Sequence, residues 1–271
     1  MSAPEAADDW TLYADHRAHF TAALLASAPA GAARLCVLGA GKCNDLDLDR
    51  LAASFSEIHL VDLDPAALAA GVSRQPATLR SRVRPHAPVD LSPLSGKRVS
   101  KWQRKPPTRA ELEAAEAMTL ATLLSRLPGP FDVVASACVL TQMSFALRKA
   151  LGEGHPMLAA IRASIVTTHL RTLAGLTKVG GMCLLTSDLV SSTSYPLDTL
   201  RPDRSLSEVL DDVVGSGASY FAANPKLIRE ILHHDLQLAE RAGEPEQLDP
   251  WLWTGPFERT YLVYGLRFAR L

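Results

Sequence analysis

Short apolar runs alternate with helix-like stretches along most of the chain, and this alternation restricts it to a small set of layered folds. Residues 34–38 (RLCVL), 57–61 (EIHLV), 131–135 (FDVVA), 182–186 (MCLLT) and 261–268 (YLVYGLRF) have the length and composition of strands, and 82–90 holds a weaker one. Between them, 10–27, 47–55, 66–74, 158–176 and 224–238 carry helical spacing. Breakers punctuate the pattern: 29–31 (PAG) closes the first helix, Pro65 suits the first turn of another, and Gly180 with Gly181 predicts the stop of the long helix. Strands separated by helices predict an α/β fold built on a parallel sheet with right-handed crossovers.

A chain of 271 residues suits one large domain or two small ones. It has no internal repeat, and the alternation predicts one core domain over 31–271, preceded by a helical N-terminal segment over 1–30. Two irregular stretches, near 91–111 and 189–205, read as insertions. In the first, Lys97, Arg98, Lys101, Arg104, Lys105 and Arg109 occur without an acidic residue among them, and Pro106-Pro107 breaks a helix, so a loop is expected that serves as plain surface, lid or substrate contact. The whole chain nevertheless has 28 basic and 29 acidic residues, which argues against a surface that grips nucleic acid throughout. Cys36, Cys43, Cys138 and Cys183 lack CxxC spacing, so neither a disulfide framework nor a metal centre is expected. The acidic start MSAPEAADDW and the lack of a long apolar run predict a soluble, cytoplasmic protein without a membrane contact.

The chemistry concentrates where strands end. Gly39-Ala40-Gly41 follows the first strand and precedes a helix, an arrangement that lets backbone approach a ligand and offers it free N–H groups, although any tight turn can use two glycines. Asp62 closes the second strand, where a carboxylate can accept from both ribose hydroxyls of an adenosine; Asp64, just before Pro65, is better placed as a helix cap. Leu63 between them can pack on an adenine face. Where a dinucleotide-binding turn has its third glycine, this chain has Asn44 followed by Asp45, and a carboxylate there would repel a pyrophosphate while tolerating an ammonium.

CVLGAGKCNDLDL, EIHLVDLDP, PVDLS, FDVVASACVL and HLRTLAGLTKVGGMCLLT, taken in order, resemble a class I S-adenosylmethionine-dependent methyltransferase over about 34–186, with 261–268 as the last strand. The resemblance implies a Rossmann-like, mostly parallel seven-stranded sheet with helices on both faces and its last strand antiparallel. It implies S-adenosylmethionine as cofactor and S-adenosylhomocysteine as product. By position it puts Gly39, Ala40 and Gly41 under the methionine part, Asp62 on the ribose, and Asp90 with Leu91 beside the adenine. Ser136, Ala137 and Cys138 would border the methionine and the methyl. Many relatives carry an acidic residue where this chain has Val37, so Asn44 or Asp45 is expected to take the amino group instead.

The residues after the fourth strand, Ala135-Ser136-Ala137-Cys138, lack the Asn/Asp-Pro-Pro-aromatic run of base-nitrogen methyltransferases, and a small-molecule acceptor is expected. Tyr13, His16 and Asp188 are the candidate catalytic residues, with His19, His233 and His234 behind them. The 1–30 helix, bearing Trp10, Tyr13, His16, Arg17 and Phe20, is expected either to pack on the core or to cover the substrate. Trp251 and Trp253 suit strand packing or an aromatic substrate wall equally. The competing functions are an RNA or protein methyltransferase using 97–109, an NAD-dependent oxidoreductase, and a non-catalytic cofactor-binding protein.

Overall fold

The structure, a computed structural model, describes residues 9–31, 33–94, 96–255 and 259–271. Among them, one sheet has the order β3-β2-β1-β4-β5-β7-β6, formed by β1 Ala33–Leu38, β2 Phe55–Val61, β3 Val83–His86, β4 Phe131–Ala137, β5 Thr177–Ser191, β6 Glu246–Gly255 and β7 Arg259–Ala269. β1 to β5 pair in parallel, while β7 pairs antiparallel with both β5 and β6. The expected α/β sheet with an antiparallel last strand is therefore present.

The sheet is covered on both faces, which is why its central strands read as unbroken apolar runs. Alternate residues of β1 divide between two cores: Leu35 and Val37 face one, Cys36 and Leu38 the other. The first core is closed by α1 Asp9–Leu12 continuing into α2 Ala14–Ala26, α3 Leu48–Ser54, α4 Pro65–Ser73 and α5 Ala77–Arg80, through Phe20, Leu24, Leu51, Leu68 and Leu79. The second is closed by α6 Gly96–Arg104, α7 Arg109–Arg126, α8 Val139–Leu151, α9 Leu158–Leu176, α10 Leu206–Gly215, α11 Pro225–His234 and α12 Leu236–Ala239. None of the helices among the described residues is long and apolar enough to cross a membrane.

Four expectations need correction. The basic stretch 97–109 is not a loop: α6 forms over most of it, because Trp102, only 2% exposed, anchors its apolar side in the second core while the basic residues take the other side. Pro106-Pro107 separates α6 from α7 rather than dissolving both. Gly180 and Gly181 do not stop the long helix: it ends at Leu176, and both glycines lie within β5, where a Cβ on Gly181 would stand 2.7 Å from the Asp132 carbonyl. The second irregular stretch begins later than expected, since 189–191 complete β5 and pair with β7. The last predicted helix is broken at Asp235, whose side chain caps α12 by accepting from the Gln237 and Leu238 N–H groups.

Candidate active site

β1, β2 and β4 all end at one edge of the sheet, and a cavity of about 540 Å³ opens there. The turn after β1 forms its floor. Gly39 and Gly41 have φ of +79° and +48°, and a Cβ on Gly39 would lie 2.8 Å from Val139 at the start of α8, so the close approach of turn and helix requires glycine. Gly71 of α4 is as constrained: a Cβ there would meet the Lys42 carbonyl oxygen at 2.5 Å. α4 is thus clamped against the turn.

Asp62 ties the second strand to that turn. Its Oδ2 accepts from the Gly41 N–H at 2.7 Å and its Oδ1 from the Asp64 N–H at 2.8 Å. Each carboxylate oxygen keeps a further lone pair that can face the cavity. Asp64 takes the capping role, accepting from the Ala66 and Ala67 N–H groups at the start of α4. Leu63 is 60% exposed on the cavity wall, an apolar side chain with nothing laid over it. Asp90 stands opposite, its Oδ1 accepting from the Ser92 N–H at 2.9 Å. Burial raises the Asp90 carboxyl above its ordinary range, against the bond from Ser92 and the charge of Arg98.

Asp45 supplies the deepest charge. Its Oδ1 is buried without a hydrogen-bond partner among the described residues. Burial first, and the charge of Asp188 second, push this carboxyl up to about 7, against the pull of Arg17. Neighbouring Asn44 accepts from Arg74 at 2.8 Å through its side chain and from Arg17 at 3.0 Å through its carbonyl. Three carboxylates and Lys42 therefore line one cavity, and its field suits a cationic ligand better than a phosphate.

Gly39, Ala40, Gly41, Asn44, Asp45, Asp62, Leu63, Asp90 and Leu91 are all brought to this cavity. Ser136, Ala137 and Cys138 lie behind its wall rather than on it. The Ser136 hydroxyl is 2.8 Å from His169 Nε2 inside the second core, while Cys138 takes a left-handed φ of +48° and its Sγ lies 3.8 Å from Thr186 Oγ1. All four cysteines are free and buried; burial pushes Cys43 and Cys183 up to about 12, far from a reactive thiolate. Absent from the expectation were Val139, Gln142, Met143 and Ala146, which α8 adds to the wall.

A second cavity, about 440 Å³, shares Tyr13 and Gln142 with the first. Asp188, Thr141, Trp253, Tyr220 and Tyr261 line it. Thr141 Oγ1 is 3.4 Å from Asp188 Oδ2, and Asp188 Oδ1 is buried without a partner among the described residues. Burial outweighs the hydrogen bonds of Cys138 and Thr141 and pushes Asp188 up to about 6.

The three catalytic candidates thus separate. Tyr13 stands between the cavities, and Asp188 lies in the second. His16 is 1% exposed; its Nδ1 accepts from Trp251 Nε1 at 3.1 Å, which leaves the proton on Nε2, 3.7 Å from Asp45. That separation is too long for a hydrogen bond, and burial, with the His19 charge, pushes His16 down to about 3, so the contact is not an ion pair. His19 stacks on Trp251, and His233 pairs at the surface with Glu244. The two tryptophans divide: Trp251 holds α2, while Trp253 donates to the Leu12 carbonyl at 3.2 Å and faces the second cavity. The N-terminal segment divides as well, Phe20 and Leu24 entering the core while Tyr13 reaches the cavities.

A seven-stranded sheet, antiparallel only at β7, with its glycine turn and acidic strand end at one open edge, matches what the resemblance implies. The fold is the Rossmann-like, mostly parallel seven-stranded sheet with helices on both faces that was expected. No family profile matches the chain, and no curated protein matches it. Among solved structures it is similar to the N-methyltransferase NodS from Bradyrhizobium japonicum WM9, at 12% identity and a TM-score of 0.49, over 97% of this chain and 99% of that one. It is also similar to the YcgJ protein from Bacillus subtilis, at 10% identity and a TM-score of 0.49, over 93% and 98% of the two chains. A third is the magnesium protoporphyrin IX methyltransferase ChlM from Synechocystis PCC 6803 with bound SAH, at 13% identity and a TM-score of 0.47, over 96% and 84%.

Proposed function

We propose that this chain binds S-adenosylmethionine in the first cavity and transfers its methyl group to a small molecule held in the second. The observation that carries the reading is the carboxylate set on the first cavity wall, with the buried Asp45 oxygen lacking a partner among the described residues. An ammonium and a sulfonium would relieve those charges, whereas the pyrophosphate of a nicotinamide dinucleotide would add to them. Asp62 would accept from the ribose hydroxyls, Leu63 and Leu91 would sandwich the adenine, and Asp45 would hold the amino group. When bound, the cofactor supplies a methyl on a positively charged sulfur, and the electron pair of the broken carbon–sulfur bond stays on that sulfur.

The chain's own part is positioning and proton handling. Tyr13 and Gln142 stand where the two ligands would meet and exclude water between them. Asp188, with its carboxyl near 6, is largely ionised at pH 7 and would take the proton that an acceptor O–H or N–H loses as its lone pair gains the methyl. His16 is a poor base here, since its one free lone pair is already committed to Trp251. A small acceptor is favoured over RNA because the second cavity is bounded by side chains of separate elements, and no residue of 97–109 lines it.

Titration calorimetry with S-adenosylhomocysteine and with NADH tests the cofactor; binding of the first and not the second is expected, and the reverse would sink the proposal. Asp188→Asn should leave S-adenosylhomocysteine affinity within about threefold, a difference of about 0.7 kcal/mol, while labelled-methyl transfer falls by about 10²-fold or more.

A further inference from the structure

A third cavity, about 610 Å³, adjoins the second and shares Phe145, Arg148, Tyr220 and Arg259 with it. Its charge is opposite to that of the first cavity. Arg148, Arg162 and Arg259 all reach its wall, and among the described residues the remaining polar lining consists of hydroxyls and an amide such as Tyr220 and Asn224, with no carboxylate.

Arg162 is the informative member. Its Nε donates to the Ser144 hydroxyl at 2.9 Å, which fixes the guanidinium, and its Cζ lies 4.4 Å from the centre of the Phe221 ring. Among the described residues no carboxylate lies within ion-pair distance of it, and its two terminal nitrogens make no hydrogen bond. Arg148, on the other side, pairs with Glu153 at 2.9 Å and lies over Phe145. Burial, together with the charge of Arg148, lowers the Arg162 pKa below its usual range despite the opposing pull of Glu153. Of the three guanidiniums on this wall, those of Arg148 and Arg162 repel each other, and Arg162 is half-buried with its terminal donors unused among the described residues. A guanidinium held in place by a side-chain bond and a ring, with its terminal N–H groups directed at no protein acceptor, is organised for a bidentate oxyanion.

We infer that the third cavity binds an anionic group, a carboxylate or a phosphate, belonging to an aromatic small molecule that lies in the second cavity. The shared wall supplies the aromatic part of the match. Phe145 meets Tyr220 edge-on at 4.9 Å between ring centres, and Tyr261 stacks on Trp253 at 5.3 Å, so the passage from Asp188 to Arg162 runs between rings. A flat apolar body fits this passage, with its nucleophile toward Asp188 and Tyr13 and its anion toward Arg162. The assignment of that molecule as methyl acceptor rests on the function proposed above; the anion site itself does not.

The test uses the full chain, without and with S-adenosylhomocysteine, and four probes: benzoate, phenyl phosphate, their neutral counterpart benzamide, and a single-stranded oligouridylate. Tryptophan fluorescence, to which Trp253 contributes, and saturation-transfer NMR report binding. Benzoate or phenyl phosphate should bind at least tenfold tighter than benzamide, and whichever is preferred identifies the oxyanion. Arg162→Gln should weaken the anionic probe at least tenfold and leave benzamide unchanged, while Arg162→Lys, which keeps the charge, should recover part of the loss. Should Arg162→Gln not fold, Arg148→Gln serves the same comparison. Equal binding of benzamide, an anionic probe that ignores these substitutions, or no binding of either anionic probe would overturn the inference. So would oligouridylate displacing the small anions, which would make the cavity a nucleic-acid contact. A chain that binds the anionic probes but not S-adenosylhomocysteine would keep the anion site and overturn the cofactor proposal alone.

Discussion

The cavity beside Gly39 and Gly41 is lined by Asp45, Asp62 and Asp90, whereas the one beyond Phe145 is lined by Arg148, Arg162 and Arg259. The two also differ in how the chain builds them. The acidic cavity is assembled at consecutive strand ends, where backbone N–H groups, a glycine turn and the residue closing each strand converge because the sheet is parallel. The basic one takes side chains from α8, α9, the segments following β5 and α10, and the start of β7. Backbone geometry fixes the first; packing between distant elements fixes the second. Substitutions on the two sides should therefore act independently on ligand binding, since well-separated sites couple weakly.

The largest separation is expected from Asp62→Ala. It removes the ribose acceptor and leaves the Gly41 N–H without its 2.7 Å partner. Losing hydrogen bonds to a charged acceptor costs about 1.5–3 kcal/mol, or roughly 10- to 150-fold in S-adenosylhomocysteine affinity. Calorimetry should show that loss while benzoate or phenyl phosphate binding stays unchanged; a parallel loss at the basic cavity would break the comparison.

Gly71→Ala probes the backbone half by shape alone. A methyl 2.5 Å from the Lys42 carbonyl must push α4 off the turn. Overpacking of this kind costs about 1–3 kcal/mol. Denaturant unfolding should show it, with S-adenosylhomocysteine affinity falling in the same variant and the anion site spared.

Asp45→Asn sharpens the electrostatic contrast through pH. An acid whose folded pKa lies at about 7, against an ordinary 3.8, costs stability as pH rises between those values, because the folded state then binds more protons than the unfolded one. At pH 3.5 both states are protonated and the substitution should be neutral. At pH 8 the amide should be more stable by up to about 4 kcal/mol, roughly three pKa units at about 1.4 kcal/mol each. Melting curves at the two pH values check the sign. If Asp45 holds the amino group, S-adenosylhomocysteine binding near pH 6.5 should also release a proton, visible as a buffer-dependent heat that the variant lacks.

The smallest effect is expected from Arg109→Ala. Arg109 is 92% exposed in its side chain and pairs with Glu113 across one helical turn, so stability should change by less than about 0.5 kcal/mol. Neither ligand should notice. A large loss of binding at either cavity would revive the basic segment as a substrate contact.

The same division explains what could be seen in the sequence. Gly39, Asp45 and Asp62 were legible because they follow β1 and β2, whose apolar runs are plain, while Asp90 follows the weaker β3; a parallel sheet brings these strand ends together. Val139 and Gln142 were not foreseen: the left-handed turn at Cys138, directly after β4, starts α8 and brings both to the wall. α7 and α10 went unseen although the signal was present. Thr108 with Glu111, and Ser205 with Glu208, are reciprocal capping boxes that mark both helix starts. Pro106-Pro107 and the irregular stretch 189–205 masked them. For Arg162 no local signal existed: on α9 it is one of several polar residues, and only Ser144, Phe221 and Arg148 from elsewhere in the fold give it meaning.

Leu63 carries a thermodynamic consequence. It keeps 60% of its surface open on the wall of the acidic cavity, where water must cover it until a ring does. Laying a planar base on that surface removes apolar area from water, and the mark of such burial is a negative heat-capacity change. The enthalpy of S-adenosylhomocysteine binding should therefore grow more favourable with each degree of warming, with a shallower slope in Leu63→Ser. An acidic cavity would then bind its ligand with the temperature signature of an oily one.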